Sequence, residues 1–150
     1  MTQPMNQKPE KDEAFLQDCL YFTTNRLSRA ITRMADEAFA TTGLAPAYGY
    51  LIRLVIGSPG ITQKELSEKL SITPSTLTRF VDKLETKQLV ERKVHGKTVM
   101  VYPTEKGIEL GPTLRQASKR LKQNYEEILG KELSKQLTEY LTSSSKQLEK

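Results

Sequence analysis

The sequence predicts a mainly α protein with one small β-hairpin, and three observations lead there. Apolar residues recur at helical spacing over long stretches near both ends of the 150-residue chain. Residues 62–87 hold two short helical segments joined by a tight turn, the second opening on Thr73-Pro74-Ser75-Thr76-Leu77-Thr78-Arg79. After Leu89 the apolar rhythm changes to strict alternation, with Gly96 as the turn between two strands. Helix, turn, helix and hairpin in that order make a winged helix-turn-helix over about 44–103. It is flanked by long terminal helices at about 13–40 and 104–149.

Residues 1–10 are polar and twice interrupted by proline, which predicts a disordered tail ahead of a single domain at 11–150. The first long helix carries Phe15, Leu16, Cys19, Leu20, Phe22, Leu27, Ala30, Ile31, Met34, Ala38 and Phe39 on its apolar stripe. Thr41-Thr42-Gly43 ends it, glycine being the usual residue past a helix C-terminus. Pro46 suits the first turn of the next helix, and Gly57-Ser58-Pro59-Gly60 stops that helix firmly. Thr62 and Glu65 then have capping-box spacing. Thr73 is the following cap, with Pro74 in the first helical position, where a missing N–H costs nothing. Thr104 opens a helix to about Leu129 that contains Gly111-Pro112, where a kink is expected. Gly130 separates the last helix, whose Leu133, Leu137, Tyr140, Leu141 and Leu148 form a narrow seam.

Neither terminal helix can bury its stripe on so small a central module. Each needs the other, or the same helices of a second copy. The alternative is a monomeric bundle.

The formal net charge is +5 and the sequence pI about 9.3, compatible with an acidic partner without requiring one. A single cysteine rules out an internal disulfide and fits a reducing compartment. The first residues contain no apolar core of a secretory signal, and no run reaches the ~18 apolar residues of a membrane span. A cytoplasmic protein with no membrane role is expected.

Leu77, Phe80, Val81 and Leu84 make one apolar stripe, so the opposite face of their helix is left to Ser75, Thr76, Thr78, Arg79, Asp82 and Lys83. Small hydroxyls and a guanidinium at a helix front suit the major groove of DNA. Arg79 is read as a bidentate partner of guanine. Ser75, Thr76 and Thr78 serve phosphate or base edges, and a threonine methyl can pack on a thymine methyl. Lys83 falls nearer the phosphates, and the helix start at Thr73 favours an anion. The blander reading makes Arg79 and Lys83 solvated charges, paired with Asp82 or Glu85. Across 73–97 the basic residues Arg79, Lys83, Lys87, Arg92, Lys93 and Lys97 outnumber Asp82, Glu85 and Glu91 by three. Binding to DNA is then expected to be strongly salt-dependent.

Gly43-Leu44-Ala45-Pro46-Ala47, the run Thr62 to Leu70, Ile72 to Glu85, Leu89-Val90-Glu91-Arg92 and Pro103-Thr104-Glu105-Lys106-Gly107 together resemble the MarR family of bacterial transcription regulators. The likeness covers about 13–148. It implies a homodimer held by the first and last two helices, with one winged module per subunit on a pseudo-palindromic operator. It also implies repression relieved by small aromatic compounds or by oxidants. One departure stands out. The family's wing usually carries Asp-x-Arg near its tip, whereas Lys93-Val94-His95-Gly96-Lys97-Thr98 is shorter and lacks that pair. Lys97 or His95 is read as standing in for the arginine; a lysine is a point charge and not a planar fork, so the wing is expected to contact the DNA backbone more than to add specificity.

The resemblance also places Phe22 and Arg26 of the first helix and Tyr48, Tyr50 and Arg53 of the second beside a cleft able to hold an aromatic acid. Ordinary packing is the competing reading of these five. Cys19 lies close to where thiol-sensing members of the family keep their reactive cysteine, and Tyr21, Tyr48 or Tyr50 would be its hydrogen-bonding partner. On the apolar stripe, where a buried cysteine is usually just a small hydrophobe, the competing reading is ordinary packing. No catalytic residue, metal ligand set or cofactor motif is found: His95 is the one histidine, and no phosphate loop or nucleophile elbow occurs. The remaining alternative is a winged helix used only for protein contacts.

Overall fold

A computed structural model describes residues 13–149. The tail expected at 1–10 lies outside them. Backbone contacts divide the chain into two compact units, one ending at Met34 and the other beginning at Ala35.

The first unit holds α1 (Ala14–Gln17) and most of α2 (Leu20–Phe39). The single helix expected from residue 13 is therefore interrupted at Asp18-Cys19. Its apolar period runs unbroken across the gap, so periodicity gave no warning. The first turn of α2 is held by Thr23, whose N–H and hydroxyl both donate to the Cys19 carbonyl, at 3.0 and 2.9 Å. At its other end α2 tightens into a 3₁₀ turn at Ala40–Thr42 and closes on Gly43 in the left-handed region.

In the second unit follow α3 (Pro46–Gly57), β1 (Ile61–Thr62), α4 (Gln63–Leu70), α5 (Pro74–Thr86), β2 (Val90–His95), β3 (Thr98–Pro103), α6 (Glu105–Leu129) and α7 (Lys131–Leu148). The expected hairpin is part of a three-stranded antiparallel sheet in the order β1-β3-β2. Ile61 pairs with Val101, and His95 pairs with Thr98 across the Gly96-Lys97 turn. Gly96 adopts φ +63°, which suits the first central position of a two-residue hairpin turn.

Phe39, Leu51, Ile52, Val55, Leu66, Leu77, Val81, Leu84, Val90, Val101 and Leu114 are fully buried and form one core beneath the winged module. Each large side chain so buried contributes about 1.5–3 kcal/mol. Three local devices hold the helices in register. Thr62 accepts the Glu65 N–H while Glu65 reaches back to the Thr62 N–H, a complete capping box. Thr73 accepts the Thr76 N–H. Thr104 accepts the Gly107 N–H at 3.1 Å and donates to the Gln88 carbonyl at 2.7 Å, pinning the start of α6 to the exit of α5.

Helix α6 continues through Pro112 to Leu129. Along α7 only Ser134 is buried; Leu133, Tyr140, Leu141 and Leu148 are between 43 and 77% exposed, an apolar seam without cover in the isolated chain.

Candidate nucleic-acid interface

Helix α5 buries Leu77, Val81 and Leu84 completely, and Phe80 is half-buried against α3. That anchoring turns Ser75, Arg79, Asp82 and Lys83 to solvent, with Thr76 and Thr78 partly covered. Pro74 occupies the first turn and Thr73 the cap, so the helix begins where the sequence places it.

The hydroxyls at its front are not idle. Thr73 Oγ1 accepts the Thr76 N–H at 3.3 Å and donates to Thr76 Oγ1 at 2.9 Å, while Ser75 Oγ lies 3.3 Å away. The Arg79 guanidinium donates to Thr76 Oγ1 at 3.3 Å. Thr78 donates to the Pro74 carbonyl at 2.9 Å and accepts from Gln63 Nε2 at 3.4 Å. Ser and Thr readily bond locally in this way at a helix start.

A groove of about 550 Å³ runs beside α5, lined by Gln63 and Lys64 of α4, Thr78 of α5, and Lys97 and Thr98 at the wing tip, among others. Two lysines from separate elements thus border the side of α5. Lys64 was missed at the level of sequence, although its place in the first turn of a capped helix was visible. Gln63 Oε1 is buried there without a hydrogen-bond partner.

Arg92 does not join this surface. Its guanidinium pairs with Asp82 and with Glu85, and its backbone N–H donates to Glu85 at 3.1 Å. Arg92, read from the sequence with the basic residues that would meet DNA, braces α5 against β2. Asp82 and Glu85, expected as partners for Arg79 or Lys83, are engaged by Arg92 instead. Lys83 stands with Nζ 5.3 Å above the Tyr48 ring, a cation–π contact. His95 and Lys97 are exposed at the hairpin end, and Lys93 lies over Tyr102.

Tyr48 packs its ring on Phe80, centroids 4.6 Å apart, linking α3 directly to α5. Tyr50 packs on Phe39, and its hydroxyl shares a 3.2 Å hydrogen bond with Ser118 of α6. Arg53 is half-buried on α3, while Phe22 and Arg26 lie on the part of α2 in the first unit. Cys19 is a free, half-buried thiol at the break before α2. Among the described residues no group of His, Cys, Asp or Glu can hold a metal ion, and no single helix is long and apolar enough to cross a membrane.

The model of the MarR family matches residues 51–95, from α3 to the end of β2. A curated relative, the HTH-type transcriptional regulator YybA of Bacillus subtilis, is 30% identical over 93 residues. The match takes in 59% of this chain and 61% of that relative, so the chain spans about three fifths of its length. Among solved structures, CouR from Rhodococcus jostii bound to p-coumaroyl-CoA superposes with a TM-score of 0.73 at 22% identity, covering 85% of this chain and 92% of that one. The repressor CouR bound to a 23-mer DNA duplex gives 0.80 at 20% identity, with 91 and 99% covered. The structural likenesses establish the fold, and over the winged module, residues 51–95, the chain is similar to the MarR family.

Proposed function

We propose that the protein is a homodimeric, sequence-specific DNA-binding regulator of transcription, acting in the cytoplasm as a repressor that a small aromatic ligand releases. It is not an enzyme. The observation that carries this reading is the front of α5: Arg79 is exposed and makes no ion pair among the described residues, and Lys64 and Lys97 border the groove alongside. Arg79 pairs with guanine in the major groove; Ser75, Lys64, Lys83, His95 and Lys97 meet phosphates. CouR, similar in fold, is a repressor seen on a DNA duplex.

Release by a ligand is supported by Tyr48. Its ring touches Phe80 and lies under Lys83, so a molecule that displaces it shifts the recognition helix. Such a ligand draws dimers from the operator by preferring a different helix spacing. CouR is likewise seen bound to p-coumaroyl-CoA. The thiol switch at Cys19 is the less favoured reading: of the hydroxyls of Tyr21, Tyr48 and Tyr50 that it would recruit, that of Tyr50 is held by Ser118.

Gel shifts with random DNA at low salt, followed by selection from a random pool, test the central reading. Arg79→Ala should lose about 1–3 kcal/mol of discrimination at one base pair of each half-site. Lys97→Ala should weaken all sequences equally and lower the salt slope by about one per subunit. A protein-interaction adaptor would bind neither pool.

A further inference from the structure

An exposed arginine with a long side chain must be aimed before it can read a base. At the front of α5 a short chain of hydroxyls answers this. Thr73, fixed as the helix cap, donates to Thr76 Oγ1 at 2.9 Å. The same oxygen accepts from the Arg79 guanidinium at 3.3 Å, three residues along the helix face. A threonine oxygen has two lone pairs, and here Thr73 fills one and Arg79 the other. Thr76 therefore has no acceptor left for a base amino group. Arg79, with five N–H donors, gives up one and keeps enough for a two-pronged contact with guanine.

We propose that Thr76 is a positioning residue: anchored by the Thr73 cap, it presets the Arg79 guanidinium for guanine instead of touching a base itself. This rests on the DNA-reading function above. Without the anchor, Arg79 must be ordered when DNA binds, and that loss of rotamer freedom opposes association.

Selection from random DNA with the wild-type protein first identifies the guanine whose preference Arg79→Ala abolishes. Affinities for that operator, and for one with the guanine replaced by adenine, are then measured for wild type, Thr76→Ser, Thr76→Val, Arg79→Ala and the Thr76→Val/Arg79→Ala double variant. Thr76→Val should weaken the guanine operator about three- to tenfold and shrink the guanine preference in proportion. Thr76→Ser keeps the hydroxyl and should stay within about twofold of wild type. With Arg79→Ala already present, Thr76→Val should change nothing further, because its effect passes through the arginine. Thermal unfolding checks each variant, and Thr76→Ala replaces Thr76→Val should the latter not fold. The proposal is overturned by an equal loss in the Arg79→Ala background, by Thr76→Ser behaving like Thr76→Val, or by Thr76→Val matching wild type. A wild-type protein that selects no sequence sinks the DNA-reading function itself, an outcome distinct from these.

Discussion

Glu85 accepts two hydrogen bonds from Arg92, one from its backbone N–H at 3.1 Å and one from its guanidinium at 3.2 Å. Asp82 takes the same guanidinium. The back half of α5 is thereby tied to β2, the first strand of the hairpin. Both carboxylates are about half exposed, which limits the pairs to at most about 1 kcal/mol each. Arg92→Ala should lower global stability by no more than about that amount. It should nevertheless speed amide exchange along β2 and β3 more than in α4. Unchanged exchange in the wing would remove the brace.

The start of α6 has no room for a side chain. A Cβ on Gly107 would collide with the carbonyl of Leu89, which is backbone and cannot step aside. Gly107→Ala should destabilise the fold by about 1–3 kcal/mol, the usual cost of overpacking. Gly57, whose added Cβ meets nothing within 4 Å, is the control: Gly57→Ala should be neutral or slightly stabilising. Denaturant melts of the two variants make the comparison, and equal stabilities would contradict it.

Along α7, Leu133 and Leu141 are 43 and 45% exposed and Tyr140 is 68% exposed. If a second copy covers this seam, Leu141→Glu buries an unpaired carboxylate at the interface and should separate the subunits, with operator binding lost alongside. Sedimentation velocity at micromolar protein measures this. A variant that remained the same size as wild type would move the dimer contact elsewhere.

Tyr125 has its pKa raised above the ordinary tyrosine value, first by burial and then by the nearby Glu126 and Tyr50. The fold thus favours the neutral phenol. Its contribution to stability is fully present below the unfolded tyrosine pKa of about 10 and is lost as pH rises through the folded value. Wild type should lose more stability than Tyr125→Phe in that alkaline range and not at neutral pH. Parallel melts check the sign, and curves that fall together would refute it.

The parts legible in the sequence are those set by neighbours a few residues apart. Thr62, Thr73 and Thr104 each bond a backbone N–H three residues on, so caps and helix starts could be read directly. Leu77, Val81 and Leu84 share a face because the helical repeat dictates it. Contacts between distant segments were not legible in the same way. β1 is two residues long and exists only through pairing with β3, and nothing local marks Ile61-Thr62 as a strand. Alternation put Arg92 on the same strand face as Val90, but which carboxylates awaited it depended on where α5 lay. Tyr48 was read as a cleft residue, whereas its nearest business is the Phe80 ring on another helix. The interruption at Asp18-Cys19 escaped for the opposite reason: the local pattern there is an unbroken helical one.

Selection of bound duplexes from a random pool tests the central claim most directly, that a twofold pair of subunits sets α5 into successive major grooves. The account predicts an enriched inverted repeat with half-sites about one helical turn apart, roughly 10 base pairs, carrying a guanine that Arg79→Ala no longer prefers. No enrichment, or a single half-site without a symmetric mate, would contradict it.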